Sequence, residues 1–243
     1  MFNQKMCVSN SLTLSIEKMP TTIEILEEIV QKNPQIESLK FSYFPKQTLL
    51  QEHIQFGIVE EMQFREAMMI RNTYNLPFWD SMMLTYFNRD NISDDILNRT
   101  QNHNSPIEEV YTRDLSIIEQ QIEVTSHNLS INSFVKMKDG SKKHIPLLDF
   151  HIPQNPNNEK VVRKALKVLD LTSGYIMESG DSYHYIGDKL IEDELLMNFL
   201  SRALLLSPII DRVWIAHQII ERSCSLRVSY KHGITPKLIF RIT

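Results

Sequence analysis

Two short strand-like segments, each with polar side chains at alternating positions, constrain the fold and function of this chain most. The first reads L-L-D-F-H, and the second reads S-Y-H-Y-I after the turn signal S-G-D. Alternate side chains of a strand point to the same face, so Asp149 shares a face with His151, and Ser182 shares one with His184. The pattern predicts a carboxylate, two imidazoles and a hydroxyl on neighbouring sheet positions, which suits a metal and phosphate site.

The order of the elements around these segments indicates an α+β fold. Strand-like stretches occur at residues 122–125, 129–136 and 143–151, and the hairpin turn signal K-D-G-S separates the last two. A closing pair of strands is predicted at residues 225–230 and 237–242. With helical patterns between the strand pairs, this order predicts a mostly antiparallel or mixed sheet with helices packed on it, rather than a doubly wound parallel sheet.

Helical patterns dominate the first half of the chain. The longest runs over residues 58–74, and Pro77, which suits the first turn of a helix, precedes the apolar stripe of a second helix. A strongly apolar helix is also predicted at residues 191–206. We therefore divide the chain into a mainly helical N-terminal part, residues 1–115, and an α/β module, residues 116–243.

Composition limits the functions that the chain can have. The formal net charge of −4 argues against a protein that coats nucleic acid, because such binding depends on many Lys and Arg contacts to phosphate. A local basic groove is compatible with this charge. Cys7 and Cys224 are too few for a thiolate zinc site or a disulfide scaffold. No apolar run approaches the roughly 18–20 residues that span a bilayer, and no secretory cleavage pattern is present, so we expect a cytoplasmic protein without a membrane partner.

Three short motifs follow one another in the second half of the chain. They are D-F-H at Asp149, S-Y-H at Ser182, and Asp211 after an apolar pair, with R-S-C-S-L-R further on. This order resembles the catalytic core of the archaeo-eukaryotic primases, the superfamily that includes the primase-polymerases. Their pattern is a D-x-D or D-x-E strand, a later S-x-H strand and a third Asp. The resemblance covers roughly residues 130–243, and its specificity comes from the order and spacing of the motifs.

The resemblance implies metal-dependent nucleotidyl transfer of the primase or polymerase type. Such transfer uses divalent ions held by carboxylates, and hard oxygen ligands suit Mg²⁺ or Mn²⁺. It implies metal ligands at Asp149, His151 and Asp211, and these three residues together with His184 would form the catalytic set.

The resemblance also implies a nucleoside triphosphate as substrate and nucleic acid, as template or primer, as partner. Ser182 and His184 would hold the phosphates of the incoming nucleotide. Arg222, Arg227 and Lys231 would contact the triphosphate or the template. A protein partner is also compatible with the sequence.

One position departs from the family pattern. The second acidic residue of the first motif is replaced by His151, so the site would carry two carboxylates and an imidazole. Imidazole binds Mn²⁺ and other transition metals but is a poor ligand for Mg²⁺. The departure leaves three interpretations: a member that prefers Mn²⁺, a member with altered chemistry, or one that binds nucleotide without polymerising it.

Structural interpretations of the same residues remain open. His184, between two tyrosines, could be a half-buried side chain satisfied by a neighbour. Asp211 could be an acidic residue in the first turn of a helix, where the helix dipole favours it. Arg222, Arg227 and Lys231 could be surface cations.

Three other functions also fit the sequence. A catalytically degenerate primase-like protein could bind nucleotide or nucleic acid as a subunit, which His151 and the acidic net charge favour. A metal-dependent nuclease or phosphodiesterase could use the same Asp and His residues. A helical interaction protein could bind a partner through the methionines of the first half, since the chain has eleven methionines.

Overall fold

The structure is a computed structural model of the chain. It describes residues 19–44, 58–87, 97–98, 100–101, 106–124, 127–230 and 235–243. A strand predicted at residues 11–16 and a helix predicted at residues 46–51 lie outside the described residues, as does Lys231.

Seven α-helices lie within the described ranges. They are α1 (Thr22–Lys32), α2 (Ile58–Tyr74), α3 (Phe78–Leu84), α4 (Leu115–Val124), α5 (Pro156–Val168), α6 (Leu196–Leu204) and α7 (Arg212–Glu221). Local sequence explains several of their ends. Thr21 and Glu24 form a capping box at the start of α1. Asn155 caps α5 by accepting from two backbone N–H groups, and Pro156 follows it in the first turn.

In the described part of the chain, ten strands form two sheets. The strands are β1 (Ile36–Phe44), β2 (Glu108–Thr112), β3 (Asn128–Met137), β4 (Lys142–His144), β5 (Leu147–Asp149), β6 (Gly174–Glu178), β7 (Tyr183–Gly187), β8 (Ile191–Glu192), β9 (Ser225–Arg227) and β10 (Leu238–Ile242). The six-stranded sheet has the order β2-β1-β3-β4-β8, with β9 also paired to β3, and the four-stranded sheet has the order β10-β6-β7-β5. Every described pairing is antiparallel, which confirms the predicted α+β class.

The strand predicted at residues 143–151 is two strands in different sheets. β4 pairs with β3 and β8, whereas β5 pairs with β7. The chain leaves one sheet and enters the other at Ile145 and Pro146, because proline lacks the N–H group that a continuous ladder requires. The Pro146 carbonyl instead accepts from the N–H of Gly187 at 2.8 Å, at the end of β7. This crossing places the end of β5 between the two sheets.

Three further predictions are wrong in detail. Residues 122–125 were expected to be a strand, but residues up to Val124 belong to α4, where Leu115 and Ile118 are buried at helical spacing. The closing strands do not pair with each other, since β9 joins β3 and β10 joins β6. The helix predicted at residues 191–206 begins as β8 and a 3₁₀ turn, Asp193–Leu195, before α6.

The main core joins both halves of the chain. It contains residues of α1 and β1 together with those of the second-half strands and helices. The boundary predicted after residue 115 stays a prediction, although β1 and β2 lie before it and share a sheet with β3. Helices α2 and α3 form a smaller cluster of their own around Ala67, Met82 and Tyr86. Among the described residues, every helix is too short or too polar to cross a bilayer.

Candidate functional site

A β-bridge places two of the predicted carboxylates side by side. Phe150, directly after β5, forms an antiparallel bridge with Ile210, directly before Asp211. The N–H of Asp211 donates to the Asp149 carbonyl oxygen at 2.9 Å. Phe150 and Ile210 are buried, so the side chains of Asp149 and Asp211 share the opposite face as direct cross-strand neighbours.

His184 is the neighbour of Asp149 on the other side. The register of β5 and β7 pairs these two residues, and 3.6 Å separates His184 Nε2 from Asp149 Oδ1. His184 is buried, whereas the carboxylate of Asp149 is 29% exposed. The distance is long for a direct hydrogen bond, so the imidazole acts on the carboxylate chiefly through electrostatics. Asp211, Asp149 and His184 therefore follow one another across three adjoining segments.

His151 lies beside Asp211. His151 Nδ1 is 3.8 Å from Asp211 Oδ2, and the two side chains are 22% and 21% exposed. On the other edge of the ring, Nε2 lies 3.0 Å from the backbone carbonyl oxygen of Asn75, in the turn between α2 and α3. A carbonyl oxygen can only accept, so Nε2 carries a proton and donates it.

Asp211 has the structural role of a helix cap, whereas its predicted role as a metal ligand stays a prediction. It is the N-cap of α7, and its Oδ1 accepts from the Trp214 N–H at 2.9 Å. Its Oδ2 faces His151. Because a carboxylate has two oxygens, capping the helix occupies one of them and directs the other toward the site.

Arg227 brings a positive charge from the six-stranded sheet. It lies at the end of β9, where Nη2 donates to the Ser179 carbonyl at 2.8 Å and Nη1 donates to the Ser229 carbonyl at 2.5 Å. Burial lowers the pKa of the Arg227 guanidinium, and the negative charge of Asp149 opposes that shift. Arg227 of one sheet thus lies within electrostatic range of Asp149 of the other.

Ser182 holds the scaffold together. Its hydroxyl donates to the Phe150 carbonyl, which ties the turn before β7 to the end of β5. Gln154 Nε2 donates to the carbonyls of Gly180 and Ser182, at 2.9 and 2.6 Å, and holds the same turn from outside. The predicted contact of Ser182 with phosphate stays a prediction and would require its hydroxyl to turn away from Phe150.

Of the other two predicted cations, the structure describes only Arg222. Arg222 is exposed and ends α7 in the left-handed region, with φ 52°. Lys231 lies outside the described residues. Contacts of Arg222 and Lys231 with a triphosphate or template stay predictions.

Sequence patterns did not identify two residues that support the site. Asn75 contacts His151 through its backbone carbonyl, and N-L-P indicated only the end of a helix. His217 is buried on α7, where burial lowers its pKa and the charge of Asp211 opposes the shift. In the sequence, His217 follows the helical spacing of α7, and this spacing did not indicate a role for its side chain.

A second group of hydrogen-bonded side chains has the residue types of a hydrolase active site, but its geometry does not fit one. Ser133 Oγ lies 2.9 Å from His144 Nδ1, and His144 Nε2 lies 2.9 Å from Asp193 Oδ1. Ser133 is fully buried, and its hydroxyl oxygen accepts from the Cys224 N–H at 2.8 Å. Burial lowers the pKa of His144, and Asp193 opposes the shift. Because the Ser133 hydroxyl is buried, these hydrogen bonds join strands and do not present a nucleophile to a substrate.

The predicted metal ligands fit a divalent ion in type. Two ligands of one octahedral ion lie roughly 3 Å apart when adjacent and roughly 4.2 Å apart when opposite, and the 3.8 Å between His151 Nδ1 and Asp211 Oδ2 matches neither distance. Within the described ranges, no three His, Cys, Asp or Glu side chains are gathered closely enough to hold a metal ion by themselves. Mg²⁺ commonly takes only one or two carboxylates and completes its shell with substrate phosphates and water.

Comparison with known proteins identifies the family. The model of the family described as "AEP-like: Archaeo-eukaryotic primase 1D-like" matches residues 113–239, just over half of the chain. No curated protein and no solved structure matches the chain. The matched segment contains all three motifs on which the resemblance was based, and it includes both carboxylates of the bridge. This chain therefore belongs to the archaeo-eukaryotic primase 1D-like family.

Proposed function

We propose that this protein catalyses nucleotidyl transfer from a nucleoside triphosphate to a nucleic acid, with a divalent metal ion as cofactor. The observation that carries the proposal is the cross-strand pair of Asp149 and Asp211, on the open face of the bridge. Membership of a primase-like family supports it. The two carboxylates come from segments 62 residues apart in sequence, and backbone hydrogen bonding fixes their spacing.

Asp149 and Asp211 would hold Mg²⁺ or Mn²⁺, with His151 as a further ligand. When bound, such ions activate the attacking hydroxyl and neutralise the triphosphate leaving group. The chain supplies a rigid support for this chemistry: Asp211 is fixed by its helix cap, and Asp149 by the ladder to β7. His184 lies beside Asp149, with 3.6 Å between its Nε2 and Asp149 Oδ1.

Arg227 would hold the triphosphate. Two backbone carbonyls orient its guanidinium. The negative charge of Asp149 acts on this guanidinium and opposes the lowering of its pKa by burial. A pre-oriented guanidinium binds phosphate oxygens with little further loss of side-chain freedom. The incoming nucleotide would therefore lie between the carboxylates of one sheet and the cation of the other.

A basic stripe on α5 supports nucleic acid as the partner. Four exposed cations lie on the solvent side of this helix: Lys160, Arg163, Lys164 and Lys167. Within the described part of the chain, none of them is in an ion pair with an acidic side chain, although the Arg163 guanidinium lies 3.8 Å from the centre of the Phe240 ring. Because the molecule has a net charge of −4, this concentration of positive charge is local.

The start of α5 is held to β7. The Asn155 N–H, at the N-cap of α5, donates to the Tyr183 hydroxyl at 2.9 Å. The Tyr183 side chain points to the face of β7 opposite that of its neighbour His184. The stripe extends from the start of the helix over about 10 Å.

The test is incorporation of a labelled nucleoside triphosphate into a primed template, with Mn²⁺ or Mg²⁺. We expect transfer by the wild type, and a loss of at least about 100-fold in Asp149→Asn and in Asp211→Asn, because each loses a charge at the transition state. Asn is also a good helix cap, so Asp211→Asn keeps α7 intact. Asp181→Asn, which removes an exposed carboxylate in the neighbouring turn, is the matched control and should retain transfer. Undiminished transfer in both site variants would contradict the proposal.

A second function, nucleotide binding without transfer, is favoured by one observation. His151 replaces an acidic residue, and the described part of the chain has no ready three-ligand cluster. The same assay distinguishes it: nucleotide-dependent thermal stabilisation that is lost in Asp149→Asn, without labelled product, would indicate a binding subunit. Shortening of the labelled strand instead would indicate a nuclease.

A further inference from the structure

We infer that the exposed side of α5 binds an unpaired strand of nucleic acid, and that one base of this strand stacks on the Arg163 guanidinium. The inference deepens the proposed function and rests on it, because it names the form of nucleic acid that the protein binds. The observation behind it is the contact of Arg163 with Phe240: 3.8 Å separates the guanidinium carbon from the centre of the ring.

Arg163 lies at the edge of the basic stripe. The buried side of α5 contains Val162, Ala165 and Leu166, and the stripe lies on the opposite side. At about 100° per residue, Arg163 is about 60° from Leu166 around the helix, whereas each of the three lysines is about 100° or more from every buried residue. The arginine can therefore reach down to the sheet while the lysines face solvent.

Phe240 lies at the margin of the sheet, on the face that α5 covers. Its strand, β10, is the outermost strand of the four-stranded sheet. Phe240 pairs with Ile176, and Ile176 pairs with Tyr185, so these three side chains point to one face. Tyr183 points to the same face, and its hydroxyl accepts from the N-cap of α5. The stack of Arg163 on Phe240 is thus on the face opposite that of His184.

The contact holds the guanidinium in a form that suits a base. Attraction between the cation and the ring keeps one side of the guanidinium against Phe240. Arg163 is exposed, so its other side is open to solvent. The plane of a guanidinium stacks on nucleobases, and its N–H edge remains available for a phosphate oxygen.

Only an unpaired base can use this position. Bases in a duplex stack on one another, whereas bases of a single strand can separate and stack on planar side chains. Surfaces that bind single strands combine such side chains with a row of cations along the backbone. The stripe supplies the row, with lysines about 4.5–6 Å apart along the helix axis. Because α5 and the carboxylates lie on opposite faces of the sheet, α5 would hold a part of the strand that is not reacting.

The experiment measures the affinity of the full chain for three probes of about twelve nucleotides: a single strand, the same strand with abasic sites, and the duplex. Fluorescence anisotropy at one low salt concentration reports binding without metal or nucleoside triphosphate. DNA and RNA probes are both used, because a stacked base does not distinguish them.

Two variants change the stack in different ways. Arg163→Lys keeps the charge but loses the plane, and Phe240→Leu keeps an apolar side chain but loses the ring. The matched control is Arg65→Lys, the same change at an exposed arginine of α2 that pairs with Glu61. Thermal unfolding of each variant checks that it is folded.

We expect the wild type to bind the single strand about five- to a hundredfold more tightly than the abasic strand, the effect of one stacked base. Arg163→Lys should lose about this factor on the single strand and stay within about twofold of the wild type on the abasic strand and the duplex. Phe240→Leu should change affinity in the same direction, and Arg65→Lys should match the wild type.

Three results would overturn the inference. The first is a wild type that binds the single strand no more tightly than the abasic strand, or does not bind it. The second is unchanged single-strand affinity in Arg163→Lys. The third is an equal loss on all three probes, which would show that Arg163 contacts only the backbone.

These results are separate from the fate of the proposed function, because the binding assay requires neither metal nor transfer. A stacked base can be as inferred even if no nucleotide is transferred, which would remove only the catalytic proposal. Conversely, transfer that depends on Asp149 and Asp211, together with unchanged binding in Arg163→Lys, would leave the proposed function standing and remove the role of Arg163.

Discussion

At the scale of single residues, the site depends on groups that serve structure and chemistry at once. Asp211 caps α7 with one oxygen and faces His151 with the other. Arg227 is oriented by two carbonyls while its charge acts on Asp149. If the proposed function is right, such double use would place the reactive groups without loops that have to be ordered when substrate binds.

Arg227 gives a prediction at this scale. Arg227→Gln should weaken nucleoside triphosphate binding by about 1.5–3 kcal/mol, roughly ten- to a hundredfold in Kd, because a charge-assisted contact to phosphate is lost. Arg227→Lys keeps the charge but not the planar guanidinium, so we expect an intermediate loss. The measurement is calorimetric titration with a nucleotide that cannot be hydrolysed, with urea unfolding of each variant as a control for folding. Equal affinity in the wild type and in Arg227→Gln would show that the cation does not contact the nucleotide.

The residue types of the site could be predicted, but one of their supports could not. Asp149, His151 and His184 were identified from strand alternation, and the structure places Asp149 and His151 beside Asp211, and His184 beside Asp149. Asn75 lies 76 positions before His151 and acts through its backbone, so no side-chain pattern could indicate it. Residue type reports what a side chain can do, whereas contacts between distant segments depend on the whole fold.

At the scale of elements, local sequence predicted structures better than it predicted pairings. The bounds of α2 and the centre of β7 agree with the predictions, because helical periodicity and turn signals are local. At Pro146, one predicted strand is divided between two sheets. The two closing strands, predicted as a pair, instead pair with other strands: β9 with β3, and β10 with β6. Pairing is decided by burial: Leu226 of β9 is buried opposite Ile131, in the core of the other sheet.

The basic stripe of α5 gives the prediction at the scale of elements. If Lys160 and Lys164 contact phosphates, the double variant Lys160→Gln/Lys164→Gln should weaken nucleic-acid binding. The slope of log K against log salt concentration should then fall by about 1.8 on duplex, or about 1.4 on single strands. The matched control, Lys138→Gln/Lys142→Gln, removes the same charge from the turn between β3 and β4 and should leave the slope unchanged. Equal slopes in both double variants would place the nucleic acid elsewhere on the protein.

At the scale of the whole molecule, the site lies where the two sheets are joined. The four-stranded sheet supplies Asp149 and His184, and the six-stranded sheet supplies Arg227. Helix α7 connects them: it begins at Asp211, and its Trp214 Nε1 donates to the Ser225 carbonyl of β9 at 2.9 Å. A change in the packing between the sheets would therefore alter the distance between carboxylates and cation.

The central claim is that Asp149 and Asp211 act as one unit at this junction. A double-mutant cycle on the rate of nucleotidyl transfer tests it most directly, with Asp149→Asn, Asp211→Asn and the double variant measured at saturating Mn²⁺. We predict that the double variant is no slower than the slower single variant, within about threefold, because either loss already disables the shared site. Losses that multiply, so that the double variant falls by the product of the two single effects, would show that the carboxylates act independently and would contradict the claim.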